Sequence, residues 1–312
     1  MKKIAILLMV AMLLVSQMAF AAPKKIPLLK EDEIPSVPKG VHNYLLFCTD
    51  AWDGNPENIG NTDGILLVTV DEYANRVMLT SFLRDTLIVT ENGEFSRLSR
   101  YVTNNGRNQK AVEKFVGLMG THFGVKIDKY MLVDWGMVIE VIEAVGGVTV
   151  ELTASEIDYL SGLGSFRRDW GTPPISRPGI YTLRGYGALQ YMRCRKGTTS
   201  TGENYDFGRT ARARMVINNV AKSLENITFE QAMGLLNVVV ENTVMTNMSM
   251  MDMVQAVTLA YNLRTVDIEQ LRIPIDDTYE NYNLAGGSAV QIEYPVNREA
   301  IWDFIYDDSV QR

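Results

Sequence analysis

The sequence predicts an α/β fold: a single domain whose mixed central sheet is flanked by helices on both faces. Two observations predict it. Short, continuous apolar runs bounded by Asp, Asn or Gly have the pattern of strands buried on both sides. These runs alternate with longer segments whose apolar residues recur at helical spacing. At 312 residues, with 46% hydrophobic and 21% charged side chains, the composition is that of a globular chain with a sizeable core.

Residues 1–22 open with Lys2 and Lys3, run apolar from Ile4 to Val15 and end in small residues at Ala19 and Ala21. This is the pattern of an export signal cleaved near Ala21 or Ala22, and the segment is also just long enough to remain as a membrane anchor. Under both readings the rest of the chain lies outside the cytoplasm. Prolines at 23, 27, 35 and 38 without apolar periodicity make residues 23–40 a spacer. The domain is expected over residues 41–312.

Residues 43–48 (NYLLFC) and 64–70 (GILLVTV) are central strands, and Arg76–Phe82 follows the turn at Ala74 and Asn75. Ala111, Val112, Phe115, Val116 and Met119 share one helical face, which Gly124 ends. Residues 130–133 read as a strand, 135–145 as a helix capped by Asp134 and stopped by Gly146 and Gly147, and Val148–Leu152 as a strand. That order makes a β-α-β unit, with a helix covering a parallel pair. Residues 183–192 and 209–224 are helices, the second with Met215, Val216, Val220 and Leu224 toward the core and Asp206 ahead of it as a cap. Helices over 230–241, 250–263 and 297–305 and a strand over 270–274 complete the order. The methionine-rich stretch 245–253 is expected to pack in the core.

Charge is unevenly placed. Arg193, Arg195, Lys196, Arg209, Arg212 and Arg214 stand with only Glu203 and Asp206 in residues 193–214, within a chain of net charge -7. A local arginine cluster in an acidic protein points to a small anion. Arginine suits phosphate because its planar fork donates parallel hydrogen bonds and keeps its charge. The acidic remainder argues against a polyanion, so nucleic acid is not an expected partner. The chain has no G-x-S-x-G, Walker A, HExxH or CxxC motif, and His42 and His122 read as structural or solvated, which argues against triad chemistry. Cys48 and Cys194 make either one disulfide or two buried thiols.

Asp50 follows the first strand and Asp63 precedes the second, so pairing of those strands would bring both acids to one rim. Oxygen ligands there suit Mg2+, although turn chemistry alone also places Asp in such loops. Arg84 and Asp85, just past the third strand, are site residues or a surface ion pair, and Arg97 is open to the same two readings. Together the strand ends with Asp50, Asp63 and Arg84 offer a site that residues 193–214 can close.

Six segments, NYLLFCTD (43–50), NTDGILLVTVD (61–71), MLTSFLRDTLIV (78–89), VIEAVGGVTVEL (141–152), LRGYGALQYMRCR (183–195) and DFGRTARAR (206–214), together resemble the LytR-CpsA-Psr family in order and spacing. The resemblance runs from about Asn43 to the C terminus. It implies an α/β/α sandwich acting at the outer face of the bacterial cytoplasmic membrane, as a phosphotransferase that moves a glycopolymer from a polyprenyl-pyrophosphate carrier to peptidoglycan. The implied catalytic residues are Asp50, Asp63, Arg84, Arg193 and Arg195, with Asp50 and Asp63 holding Mg2+. Arg97, Arg209 and Arg212 would grip phosphate oxygens, Asp85 and Asp206 would orient arginines, and the polyprenyl chain would lie in an apolar tunnel between sheet and helices. Such chemistry rests on positioning and charge neutralisation, with Asp50 or Asp63 able to take a proton from the incoming sugar hydroxyl. Hydrolysis of the carrier pyrophosphate, or binding of a lipid-linked glycan without turnover, would use the same groups. Leu83 stands where the family pattern commonly has Pro, and Ala213 where it commonly has Gln; neither change removes charge. A cleaved signal would be a third departure, since the family is mostly membrane anchored. Arg214 and Lys196 are expected to be peripheral.

Overall fold

The computed structural model describes residues 23–52, 54–162, 175–284 and 287–306. The expected signal or anchor over residues 1–22 lies outside them. Among the described residues no helix is long and apolar enough to cross a membrane.

Three strands open the sheet: β1 (Val41–Thr49), β2 (Thr62–Asp71) and β3 (Arg76–Phe82). They form an antiparallel meander, and Asn75 makes the second turn at a φ of 51°, a left-handed conformation that Asn tolerates. A short ribbon of β4 (Leu87–Val89) and β5 (Phe95–Arg97) follows. Next come α1 (Gln109–Phe123), capped by Asn108 and ended by Gly124 at a φ of 71°, and then β6 (Lys129–Val133). Asp134 caps α2 (Trp135–Ala144) through Met137 N at 3.0 Å. Beyond it lie β7 (Val148–Leu152), α3 (Ala154–Gly162), β8 (Gly179–Leu183), α4 (Gly185–Arg193) and α5 (Tyr205–Leu224). The last elements are α6 (Phe229–Asn242), β9 (Thr243–Thr246), α7 (Met250–Asn262), β10 (Ile268–Ile273), β11 (Tyr279–Leu284), β12 (Gly287–Ile292) and α8 (Tyr294–Ile305).

The central sheet runs β10-β3-β2-β1-β6-β9. It is mixed: β1 with β6 and β3 with β10 are parallel, the other pairs antiparallel. Alternate residues of β1 reveal the layers, because successive strand side chains point to opposite faces. Leu45 and Phe47 join Phe115, Phe123 and Ile301 on one side, while Leu46 and Cys48 pack with Trp135, Met137 and Leu189 on the other. The fold is therefore an α/β/α sandwich, as expected.

Three local expectations change. Val148–Leu152 does not return to the central sheet but pairs with β8 in a separate ribbon. Its strict alternation, with Val148, Val150 and Leu152 buried and Thr149 and Glu151 exposed, marks a strand with one dry face, whereas helices cover both faces of the central sheet. The methionine stretch divides: Met253 is buried and Met245 packs on the main core, but Met250 and Met251 are exposed. Finally, residues 23–40 are laid against the fold. Ile26 is buried in the main core, Arg298 donates to Pro27 O, Leu29 N donates to Thr121 O at 2.9 Å, and Lys24 pairs with Glu280 at 2.8 Å. Isolated apolar residues between prolines carry no periodicity, so this docking leaves no pattern in the sequence.

His122 and both cysteines are structural. Cys48 and Cys194 are free and buried. The His122 ring bridges Val89 N at 3.3 Å and Leu118 O at 3.1 Å, and burial lowers its pKa from 6.5 to about 4, with nearby Arg298 adding to the effect. The unfolded chain therefore takes up this proton before the native one does. Stability from this group falls as pH drops between the two values, by about 3 kcal/mol in all, and falls no further below them. Urea midpoints between pH 7 and 4.5 should decline more steeply for the wild type than for His122→Gln.

Candidate active site

The β1–β2 pairing brings Thr49 opposite Thr62, so Asp50 and Asp63 do meet one rim of the sheet. Asp50 begins a loop whose ends are pinned together. Its N–H donates to Asn61 O at 2.9 Å, and its carboxylate accepts from Asn61 N at 2.7 Å and Asn61 Nδ2 at 2.9 Å. Gly60 permits this closure, since a Cβ there would stand 2.0 Å from Asp50 Oδ1 and 2.9 Å from Ala51 N. Gly60→Ala is therefore expected to cost about 1–3 kcal/mol as overpacking, readable in thermal unfolding, and to dislodge the Asp50 carboxylate.

Asp63 is the hub of the site. Oδ1 accepts from Arg84 Nη1 and Oδ2 from Arg209 Nη2 at 3.0 Å, which ties the end of β3 to α5. Burial disfavours its charge, but Arg209 and Arg84 outweigh that and hold the carboxyl below its usual range. Burial lowers Arg209, with Arg84 and Arg195 adding their repulsion. Arg84 is raised despite burial, because Asp63, Asp85 and Asp206 surround it.

Asp206 Oδ1 faces Arg84 Nε and Arg209 Nη1 at 3.5 Å and Arg195 Nε at 3.6 Å. It does not cap α5: it is the second residue of that helix, Asn204 holds the cap position, and the carboxylate turns to the arginines. Asp85 lies 3.7 Å from both Arg84 Nε and Arg97 Nη1. Burial and nearby Asp206 raise its pKa against the pull of Arg84 and Arg97. Arg84 Nε is buried and makes no hydrogen bond, held between the Asp206 and Asp85 carboxylates at 3.5 and 3.7 Å. Arg193, exposed at the end of α4, lies over the Trp135 ring at 5.5 Å from its centroid.

Arg212 departs from its expected role. Its side chain and that of Glu156 are fully buried; Nε donates to Glu156 Oε1 at 2.7 Å, Nη1 to Cys194 O at 2.6 Å, and Nη2 to Gly197 O. It faces inward from α5, where no ligand at the rim reaches it, and it ties down the segment that carries Arg195.

Beneath the rim lies an apolar cavity of about 330 Å3 between the sheet, α2 and α5. Its mouth includes Asp63, Arg84, Arg193, Asp206 and Arg209, and its walls include Leu46, Phe82, Val138, Val141, Ile217 and Val220. Periodicity cannot mark such residues, because a face lining a cavity and a face packed in a core have the same spacing. Arg214, expected to be peripheral, also lines the cavity, held by Ser81 Oγ at 3.2 Å and Glu203 at 3.8 Å; exposed Lys196 does not.

The LytR_cpsA_psr family model matches residues 15–298. The chain belongs to that family. Among its curated relatives, Biofilm regulatory protein A of Streptococcus mutans is 26% identical over 56% of this chain and 40% of the relative. The Polyisoprenyl-teichoic acid--peptidoglycan teichoic acid transferase TagU of Bacillus licheniformis is 28% identical over 68% of this chain and 61% of the relative. The chain thus spans less than two thirds of the length of these relatives. A solved structure of TagT bound to LI-WTA superposes with a TM-score of 0.66 and 17% identity, covering 89% of this chain and 95% of that one; at that identity the likeness concerns the fold.

Within this LytR_cpsA_psr member, Leu83 and Ala213, the two positions at which the resemblance implies a departure, sit in surroundings that suit them. Leu83 is buried in the core and its N–H donates to Ile273 O at 2.8 Å, a bond proline cannot make. Ala213 adds an apolar surface to the cavity.

The donor chemistry of the site is compatible with Mg2+. Among the described residues no three His, Cys, Asp or Glu side chains gather as a cage, but this ion binds through one or two carboxylates and fills its shell with water and phosphate oxygen. Asp50 and Asp63 are such carboxylates at one rim, and a carboxylate oxygen that accepts one hydrogen bond retains a second lone pair.

Proposed function

We propose that the protein is an extracytoplasmic phosphotransferase that attaches a glycopolymer from a polyprenyl-pyrophosphate carrier to peptidoglycan, at or near the membrane. One observation carries this reading: an apolar cavity that opens at an arginine-rich mouth. A ligand with a long hydrocarbon tail and a phosphate head complements both halves, and each buried methylene contributes about 0.8 kcal/mol. Family membership and relatives named as teichoic acid transferases support the transfer of a glycopolymer.

In this reading Arg84 and Arg209, fixed by Asp63, meet the phosphate from the floor of the mouth, while Arg193 and Arg195 meet it from the exposed side. Their donors neutralise charge on the phosphoryl oxygens as it redistributes in the transition state. Asp206 and Asp85 hold the guanidinium groups apart in fixed directions before ligand arrives. Asp63 is a weak base, because two arginines stabilise its ionised form; Asp50 is the better placed carboxylate to receive the acceptor hydroxyl proton. Mg2+, held by Asp50 and Asp63, would add charge neutralisation at the pyrophosphate.

Incubation with a polyprenyl-pyrophosphate glycan, Mg2+ and peptidoglycan oligomers tests the proposal. Glycan phosphate joined to the oligomer, with polyprenyl monophosphate released as the P–O–P bond breaks, is the expected pair of products. Release of free phosphorylated glycan would make the protein a hydrolase, and retained lipid with no product would make it a binding module.

A further inference from the structure

Beside this site lies an aromatic pair that the phosphate chemistry does not use. Trp52 is 50% exposed, unusual for the largest apolar side chain, and its ring stacks on that of half-buried Tyr186 with centroids 6.3 Å apart and planes 27° apart. Neither ring belongs to the buried clusters of the core. Their positions matter more than their exposure. Trp52 stands two residues beyond Asp50, on the loop whose ends are pinned by the Asp50–Asn61 bonds and anchored by fully buried Ile59. Tyr186 opens α4, the helix that ends in Arg193. Arg193 lies seven helical steps beyond Tyr186, about 10 Å at the usual rise.

We propose that Trp52 and Tyr186 form a saccharide platform that holds the glycan of the lipid-linked donor as it leaves the phosphate site. A pyranose presents a face of C–H groups, and the electron-rich face of an aromatic ring attracts that partially positive surface while shedding water from it. A protein face made of one indole backed by a second ring is flat, stiff and pre-set, so little freedom is lost on binding. The donor glycan is the committed occupant because both rings ride on the segments that carry Asp50 and Arg193. A sugar bonded to a phosphate between those residues leaves the mouth alongside them. The inference rests on the phosphate reading, and it adds a specificity element: the platform discriminates sugar-bearing carriers from bare ones.

The experiment compares two probes on the full chain, a short-chain prenyl pyrophosphate and the same lipid carrying an N-acetylhexosamine disaccharide, with Kd read for the wild type, Trp52→Ala, Trp52→Phe and Tyr186→Ala. Trp52→Ala is expected to weaken the disaccharide lipid about tenfold, leave the bare lipid unchanged, and be largely rescued in Trp52→Phe, which keeps a stacking ring. Tyr186→Ala should show a smaller loss of the same selectivity. Equal affinity of all proteins for the disaccharide lipid overturns the platform, and so does a parallel loss for both lipids, which would assign Trp52 to the lipid or the membrane. A loss confined to competition by a soluble peptidoglycan disaccharide would move the platform to the acceptor and overturn the donor assignment. If the wild type binds neither lipid, the phosphate reading fails first and the platform falls with it; binding of the bare lipid keeps the two failures distinct.

Discussion

Arg212→Met is expected to lower unfolding free energy by about 3–5 kcal/mol, the cost of breaking a buried ion pair from one side. Both Arg212 and Glu156 are without solvent exposure, and the guanidinium also satisfies the carbonyls of Cys194 and Gly197. Methionine fills much of the space but leaves Glu156 Oε1 and two carbonyl oxygens without donors, each a buried acceptor whose desolvation is no longer compensated. Urea unfolding of the single variants and of Arg212→Met/Glu156→Gln measures the coupling, and the double variant should be less destabilised than the sum of the singles. The same change should reduce activity without any loss of ligand contact, because the carbonyls it frees flank Arg195. A stability loss under about 1 kcal/mol would be that of an ordinary surface pair and would return Arg212 to the ligand site.

That prediction exposes a limit of reading charge from sequence. In residues 193–214 the arginines look alike, yet Arg195 and Arg209 face the rim, Arg214 lines the cavity and Arg212 faces the core. What separates them is helical phase and a partner, Glu156, that lies 56 residues away. Strands with two dry faces were legible because burial on both sides demands unbroken apolar runs, and Arg76–Phe82 has the expected bounds. The edge strand β9 and the small ribbons β4–β5 and β11–β12 were not, since a three- to six-residue strand with polar members differs little from a loop. The convergence of Asp50, Asp63 and Arg84 was legible from strand ends alone. The cavity walls were not, because nothing local distinguishes a space from a packed neighbour.

Arg84→Ala is expected to reduce turnover by on the order of 10²–10³-fold, the usual consequence of losing one donor to a developing negative charge, with the fold retained because Asp63 keeps Arg209. Arg84→Lys should recover only part of the rate, since an ammonium group supplies charge without the fork that reaches two oxygens. Asp63→Asn separates two roles. As the anchor of Arg84 and Arg209, Asp63 prepays the cost of holding two like charges together; without its charge the guanidinium groups repel one another and lose their fixed directions. The variant gains positive charge at the mouth, so lipid pyrophosphate should bind at least as tightly while turnover falls, which in steady-state kinetics lowers kcat without raising KM. Because the arginines hold Asp63 ionised to below its usual range, its contribution is present above the ordinary carboxyl pKa and is lost only as pH falls through the lowered one. The acid limb that Asp63 sets on turnover, as distinct from lipid affinity, should therefore lie below about pH 4. Turnover within twofold of wild type for both Arg84→Ala and Asp63→Asn would remove this network from the reaction and leave it a structural feature of the sheet edge.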